Sequence, residues 1–126
     1  MKIRFFEDSV RLRLTQAEVE ALAGGGAIES VIPFTDEAFA CMIQPTTGDF
    51  EAHHAAGRLT VMVPLDRTKA WAESSQEGFY GEQPLAGGTR VLRISVEKDY
   101  RCIHKPDSPD NAGTFPNPAA PPTTGD

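Results

Sequence analysis

The sequence lacks a long hydrophobic run, a set of cysteines and any excess of positive charge. Its 126 residues include two cysteines and one tryptophan, and the formal net charge is -6. No apolar stretch approaches the roughly 20 residues that a transmembrane helix needs. Two cysteines cannot build the disulfide scaffold of a small secreted domain, and the acidic balance disfavours nucleic acid, whose recognition relies on cations. We therefore expect one globular domain with no membrane or nucleic-acid partner.

The N-terminal residues do not have the pattern of a secretory signal. After Lys2 and Arg4, the apolar pair Phe5-Phe6 is followed at once by Glu7 and Asp8. A signal peptide needs an apolar stretch of roughly 7–15 residues after its positive charges. We expect a leaderless cytoplasmic protein, in which Cys41 and Cys102 are reduced thiols.

The first clear structural signals are an alternating segment and a helix start. Residues 10–14 alternate apolar and arginine side chains, with the period of a half-buried strand. The next four residues, Thr15-Gln16-Ala17-Glu18, form a capping box, which predicts a helix that runs to about Ala23. Gly24-Gly25-Gly26 ends that helix as a cap and flexible turn rather than as a phosphate loop, because phosphate loops precede helices.

The rest of the chain adds short strands and a second helix. We predict strands near 2–6, 27–32, 38–44, 50–55, 59–63, 78–83 and 89–98, and a helix from about Pro64 or Leu65 to Ser74. Most of these segments are joined by tight turns. The pattern predicts an α+β fold, with a mainly antiparallel sheet or barrel of about eight strands and two helices packed on it.

These elements recur along the chain. A shift of 49 residues aligns the alternating segment 10–14 with 59–63, and a shift of 51 aligns Pro33 with Pro84 and Ile43 with Ile94. Identities are few, so chance similarity between two strand–helix units is the competing interpretation. The sequence thus leaves open an internal ββαββ duplication.

The C-terminal residues differ in composition from the rest. Six of the ten prolines and only one large apolar residue, Phe115, lie in residues 105–126. Such a segment buries too little apolar surface to offset its ordering entropy. We predict a single domain over 1–104 and a flexible proline-rich tail over 105–126, in which Phe115 is the side chain able to dock on the domain.

Arginines on one strand face are the main candidate ligand site. Arg11 and Arg13 point the same way, and Arg93 on the last strand is expected near them. Guanidinium groups suit phosphate or carboxylate, so this face is a candidate anion site. The alternative is a solvated sheet face on which the arginines pair with acids such as Glu97.

Cysteine and histidine residues offer weaker candidates. Cys102 and His104 lie two positions apart, but a structural zinc site needs four converging ligands. Cys102 with His104, or Cys41 with His53, contains the residue types of a thiolate–imidazolium pair, but no known catalytic signature surrounds either cysteine. Cys41 lies in an apolar run and is predicted to be a core residue. We predict no catalytic residues, no metal site and no cofactor.

Trp71 has two interpretations. An indole on an amphipathic helix is usually a core anchor whose N–H finds a partner. An exposed Trp71 would instead indicate a protein interface, in which Phe115 is the second candidate.

Several motifs are spread over most of the chain. They are the opening Lys2-Ile3-Arg4 with Ser9-Val10-Arg11-Leu12-Arg13-Leu14-Thr15 and Glu18-Val19, and the later Gly81-Glu82-Gln83-Pro84-Leu85, Val96-Glu97-Lys98-Asp99-Tyr100-Arg101-Cys102 and Phe115-Pro116-Asn117-Pro118. Together they resemble a family of small uncharacterised bacterial proteins. The resemblance implies a domain of unknown function. It carries no activity and no site residues.

Two functions remain after these exclusions. The first is a non-enzymatic cytoplasmic domain that binds another protein or its own copy, because no acid–base set, phosphate loop or cofactor motif is present. The second is a small-anion or phosphate-ester site, possible also for hydrolysis, on the face that carries Arg11, Arg13 and Arg93.

Overall fold

The computed structural model describes residues 1–119 and contains eight strands, two α-helices and one 3-10 turn. The α+β class is therefore confirmed. In chain order the elements are β1 (Lys2–Phe6), β2 (Ser9–Leu14), α1 (Gln16–Ala23), β3 (Ile28–Pro33), β4 (Ala38–Thr46), β5 (Glu51–Ala55), β6 (Arg58–Pro64), α2 (Leu65–Ala72), β7 (Gly78–Pro84), β8 (Val91–Lys98) and the 3-10 turn Pro109–Asn111.

The strands form two separate four-stranded sheets rather than a closed barrel. The first sheet has the order β1-β2-β8-β7 and the second has the order β3-β4-β6-β5. In each sheet the two outer pairs are antiparallel, as predicted, whereas the central pair, β2 with β8 or β4 with β6, is parallel. Both sheets are therefore mixed.

The order ββαββ appears twice, and the two copies exchange strands. Replacing each element of β1-β2-α1-β3-β4 by its counterpart in β5-β6-α2-β7-β8 converts the strand order of one sheet into that of the other. Each sheet therefore contains one hairpin from each half of the chain. The repeat predicted as an open alternative is present in the topology.

The strand registers match the repeat in detail. Ile3 faces Leu12 in the first sheet, and Ala52 faces Val61, each 49 positions later, in the second. Ile28 faces Ile43, while Phe79 faces Val96. Ile43 is thus equivalent to Val96, and its predicted alignment with Ile94 was wrong. The reason is the loop 85–90, which is two residues longer than its counterpart 34–37.

One hydrophobic core lies between the sheets. It contains inward-facing residues of both sheets together with buried residues of both helices. Leu12 and Val61, at the centres of the two alternating segments, are fully buried, whereas Arg11 and Arg13 lie on the opposite face. This is the arrangement that the alternation predicts.

The two helices begin differently. Thr15 caps α1: its Oγ1 accepts from the Glu18 amide at 3.3 Å, and Glu18 Oε1 accepts from the Thr15 amide at 2.9 Å. The predicted capping box is therefore confirmed. In contrast, α2 follows Pro64, which provides no side-chain cap. It ends at Ala72, two residues before its predicted end.

The last described segment packs on the first sheet. The Asp99 amide donates to Leu14, and Phe115 forms a bridge with Tyr100 that prolongs the sheet. The buried side chain of Asn111 accepts from the Cys102 amide at 2.8 Å and donates to the Lys105 carbonyl at 2.7 Å. Residues 105–119 thus make specific contacts, while the remainder of the predicted tail, 120–126, lies outside the described residues. The domain boundary at 104 remains a prediction.

Candidate functional site: the outer face of the first sheet

The outer face of the first sheet carries a concentration of cationic residues. Register places Lys2 beside Arg13 and Arg4 beside Arg11 on β1 and β2, with Arg93 at the start of β8. These five residues share one face because side chains alternate along each strand. The sheet therefore presents a local positive region in a chain with a net charge of -6.

Two buried acids partly balance this charge. Glu97, which is 5% exposed, pairs with Arg11 and accepts from the Tyr80 hydroxyl at 2.9 Å. Asp99, which is 3% exposed, lies 2.6 Å from Lys2 Nζ. Such contacts satisfy carboxylates that would otherwise be costly to bury. The predicted pairing of arginine with Glu97 is therefore present at Arg11.

The Tyr80 hydroxyl has a perturbed pKa. Desolvation, followed by the hydrogen bond to Glu97 and the negative charge of that carboxylate, raises the pKa of Tyr80 to about 12. The Tyr80 hydroxyl thus stays protonated and donates its hydrogen bond to Glu97, the carboxylate that pairs with Arg11.

A groove lies where this face meets the last described segment. Its volume is about 270 Å³, and it is lined by Arg11, Arg13, Glu77, Lys98, Tyr100, Arg101, Cys102 and Asn117. We call it the basic groove. The Asn117 amide donates to the Arg101 carbonyl at 2.9 Å, and the Arg101 amide donates to Phe115 at 2.8 Å. The wall formed by residues 100–117 is thus attached to the sheet.

Not every cation of the basic groove is equally available to a ligand. Lys98 points into the core, where Nζ donates to the Ser74 carbonyl at 2.5 Å and lies near the rings of Trp71 and Phe115. Desolvation lowers the pKa of Lys98. Arg13 has no ion pair among residues 1–119, and its side chain is half-buried. Arg13 and Arg101 are therefore the cations with most free donors.

The predicted trio of arginines is only partly brought together. Arg11 and Arg13 line the basic groove, but Arg93 lines a separate hollow with Tyr80 and Glu82. Ser95 pairs with Arg11, so Arg93 lies on the same face two positions away along β8, opposite Ser9, but it does not line the basic groove. A common site for the three arginines remains a prediction. The third arginine that lines the basic groove is Arg101, which was not predicted as a site residue.

The two aromatic candidates both contact the core. Trp71 is fully buried, and its indole donates to the Glu77 carbonyl at 3.0 Å and packs edge-on against Phe79. It is a core anchor and cannot serve as an interface residue. Phe115 is half-buried, packs against the core and contacts Tyr100 edge-on, so it docks the C-terminal segment.

The cysteine and histidine candidates do not assemble into a site within residues 1–119. No group of three or more potential metal ligands occurs there. Cys102 and His104 are both exposed. Cys41 is fully buried, and desolvation raises the pKa of its thiol to about 11, which disfavours the reactive thiolate.

The two lateral edges of the fold differ. Where β5 and β7 lie side by side, the Gln83 side chain bonds both the amide and the carbonyl of Ala52, at 2.7 and 2.8 Å, and joins the sheets. Phe50 covers Gly81 there: a Cβ on this glycine would lie 2.8 Å from the ring. We call this the closed edge.

The opposite edge, formed by β1 and β3, presents apolar side chains. Its members are Phe5 (60% exposed), Val31 (48%), Ile32 (51%), Phe34 (57%) and half-buried Phe39, whose ring packs against Phe5. We call this the apolar edge. Ile32 is the counterpart of Gln83 in the repeat. These residues were not predicted as a site, because four of them lie in ordinary strand patterns and Phe34 lies in the loop that follows β3. Only the pairing of the sheets shows which edge stays uncovered.

The described part of the chain contains no helix that is long and apolar enough to cross a membrane. The molecule is thus an α+β domain of two strand-exchanged ββαββ units, with a basic groove on one face and an apolar edge on one side. The chain belongs to a family of unknown function, DUF7009, whose model matches residues 1–119. No curated protein and no solved structure matches it.

Proposed function

We propose that this protein is a non-enzymatic binding domain that associates with a second copy of itself through the apolar edge. The observation that supports this is the exposure of Val31 and Ile32. They are neighbours on β3, so they point to opposite faces of the second sheet, and each is about half exposed. An edge strand with apolar side chains on both faces is a template for another strand.

A second copy fits the charge of this surface. Residues 30–35 contain no ionisable side chain, although the chain carries a net charge of -6. The nearest acid on the strand, Glu29, is paired with Arg58 on β6. Two copies that pair through residues 30–35 would therefore oppose no like charges within this segment, whereas like charges elsewhere on an acidic protein disfavour self-association.

Strand pairing also suits a symmetric dimer. β3 lies at the edge of the second sheet, and antiparallel pairing of β3 with its copy would satisfy backbone groups of both chains around a two-fold axis. Ile32, Phe39 and Phe5 then contribute apolar area beside the strand junction. In the proposed dimer, the second sheets of the two copies would join into one continuous eight-stranded sheet.

The test is the oligomeric state of the full chain. Size-exclusion chromatography with light scattering, at protein concentrations up to about 1 mM, should detect a dimer of modest affinity. The variant Ile32→Glu should be monomeric, because it buries an unpaired carboxylate at the junction. The matched control Val91→Glu replaces an equally exposed valine on the other sheet and should stay dimeric.

A second variant keeps the test valid if Ile32→Glu does not fold. Val31→Glu lies on the other face of the same strand and should also give a monomer with an unchanged circular dichroism spectrum. A monomeric wild-type chain over the whole concentration range overturns self-association. A dimer that persists in both Ile32→Glu and Val31→Glu also overturns it.

We also propose that this domain resides in a bacterial cytoplasm. Both cysteines are free, and Cys102 is exposed. A reducing compartment is where an exposed free thiol persists.

A further inference from the structure

The basic groove is a second feature that the proposed self-association does not use. It lies on the outer face of the first sheet, whereas the apolar edge contains the free strand of the second sheet and the inward-facing Phe5 of β1. Its charge also contrasts with the chain as a whole: three arginines and one exposed acid, Glu77, line it in a protein of net charge -6. The groove is therefore positively charged on an acidic protein, and the presence of its arginines requires an explanation.

Structural ion pairing explains only one of the three arginines. Arg11 is held by Glu97 through its Nε, which uses one of the five N–H donors of a guanidinium group. Arg101 contacts the Pro106 carbonyl, a neutral acceptor. Arg13 makes no ion pair within the described residues, although Glu97 is its neighbour across the strands. Most of the guanidinium donors of the groove are therefore left for a ligand.

The walls of the groove come from distant parts of the chain and are fixed before any ligand binds. Arg11 and Arg13 are two residues apart on a central strand, so their side chains lie side by side on one face. Across from them, the Arg101 amide donates to the Phe115 carbonyl, and the Asn117 side chain donates to the Arg101 carbonyl. A backbone that is already held in place does not have to be ordered when a ligand binds, which lowers the conformational entropy lost on binding.

We infer that the basic groove binds the phosphate group of a small phosphorylated molecule, with Arg13 and Arg101 as the principal ligands and Arg11 as the third. Guanidinium groups match the geometry of phosphate oxygens and form charge-assisted pairs of hydrogen bonds. The volume, about 270 Å³, accommodates a phosphate with a short organic group but no large ligand.

The experiment measures binding of defined probes by isothermal titration calorimetry on the full chain in phosphate-free buffer. The probes are inorganic phosphate and glycerol 3-phosphate, with sodium sulfate at matched ionic strength as the anion control. We expect saturable binding of both phosphates, tighter for the monoester. Arg13→Gln should weaken it at least about tenfold, the equivalent of losing one charge-assisted hydrogen bond.

Matched variants distinguish specific binding in the groove from general attraction of anions to the positively charged sheet face. Arg93→Gln removes one charge from the same sheet face but outside the groove, and should change the affinity less than about twofold. Arg13→Lys keeps the charge without the planar fork and should fall between wild type and Arg13→Gln. Arg101→Gln, on the opposite wall, provides a second test if Arg13→Gln does not fold.

The outcomes that overturn the inference are distinct from those that concern the dimer. No saturable binding of either phosphate overturns it, and so does equal weakening by Arg13→Gln and Arg93→Gln. Binding of inorganic phosphate or sulfate without binding of the monoester overturns the assigned ligand class. The variant Ile32→Glu should bind phosphate as the wild type does, because the two surfaces are separate.

Discussion

The closed edge and the apolar edge occupy equivalent positions in the repeat, yet they are built differently. At the closed edge, Gln83 hydrogen-bonds Ala52 across the two sheets, and Phe50 covers Gly81. At the other edge the counterpart of Gln83 is the half-exposed Ile32. The same backbone arrangement thus supports either a sealed side or a side that can accept a partner, and the choice depends on few side chains.

The largest expected difference between the two sides concerns their core residues. Phe79 is 1% exposed and packs against both Phe50 and Trp71, whereas its counterpart Ile28 is only half-buried. Phe79→Ala should lower the free energy of unfolding by about 4 kcal/mol, and Ile28→Ala by about 2 kcal/mol. Urea unfolding followed by circular dichroism measures both. Equal losses would mean that the two sides are equally well packed.

The next effect concerns the hydrogen bonds that join the sheets. Gln83→Ala should lower the free energy of unfolding by about 2 kcal/mol, because it removes two hydrogen bonds and leaves the buried backbone groups of Ala52 without those partners. Thermal and urea unfolding check this. The control Gln44→Ala removes an exposed glutamine from β4 and should cost less than about 0.5 kcal/mol. A similar cost for both would contradict the structural role of Gln83.

The smallest effect compares the two helix starts. Thr15→Ala should lower the free energy of unfolding by about 1 kcal/mol, because only α1 has a capping box. Burial alone would raise the pKa of Glu18, but hydrogen bonds from the Met1 ammonium group and Thr15 outweigh it and hold the pKa below its usual value.

The sign of the pH dependence follows from that lowered pKa. Glu18 is ionised in the folded state at pH values where it is already partly protonated in the unfolded state, so its contribution is complete above the unfolded pKa. It decreases as pH falls through the acid range. The stability difference between wild type and Glu18→Gln should therefore shrink in acid, whereas Thr15→Ala keeps the backbone amide that donates to Glu18. A difference that grows as pH falls would contradict the capping interaction.

Local sequence patterns predicted the strands and helices of this fold better than they predicted which strands pair. The alternation of residues 10–14 and the capping box at Thr15 depend on neighbours in sequence, and the structure confirms both. The exchange of hairpins between the two halves depends on residues as far apart as Val10 and Ile94, which no local pattern reports. For this reason the sequence could not show that Arg93, on the same face as Arg11, lines a separate hollow.

The C-terminal segment shows the limit of composition as a guide. Residues 105–119 contain many prolines and few apolar side chains, which predicts a flexible tail. Their order comes from a few long-range contacts, chiefly the side chain of Asn111 and the ring of Phe115. The same contacts hold this segment against the first sheet, where Arg101 and Arg13 both line the basic groove. Composition alone therefore gave no sign of this wall of the candidate site.

The parallel pair β2–β8 has a consequence for biosynthesis. The hairpin of β1 and β2 leaves the ribosome early, but the strand that completes its sheet is the last of the eight described. Until β8 is available, β2 keeps an unsatisfied side that can pair with a strand of another nascent chain. We expect charged side chains on that strand, such as Arg11 and Arg13, to disfavour this pairing with other chains during synthesis.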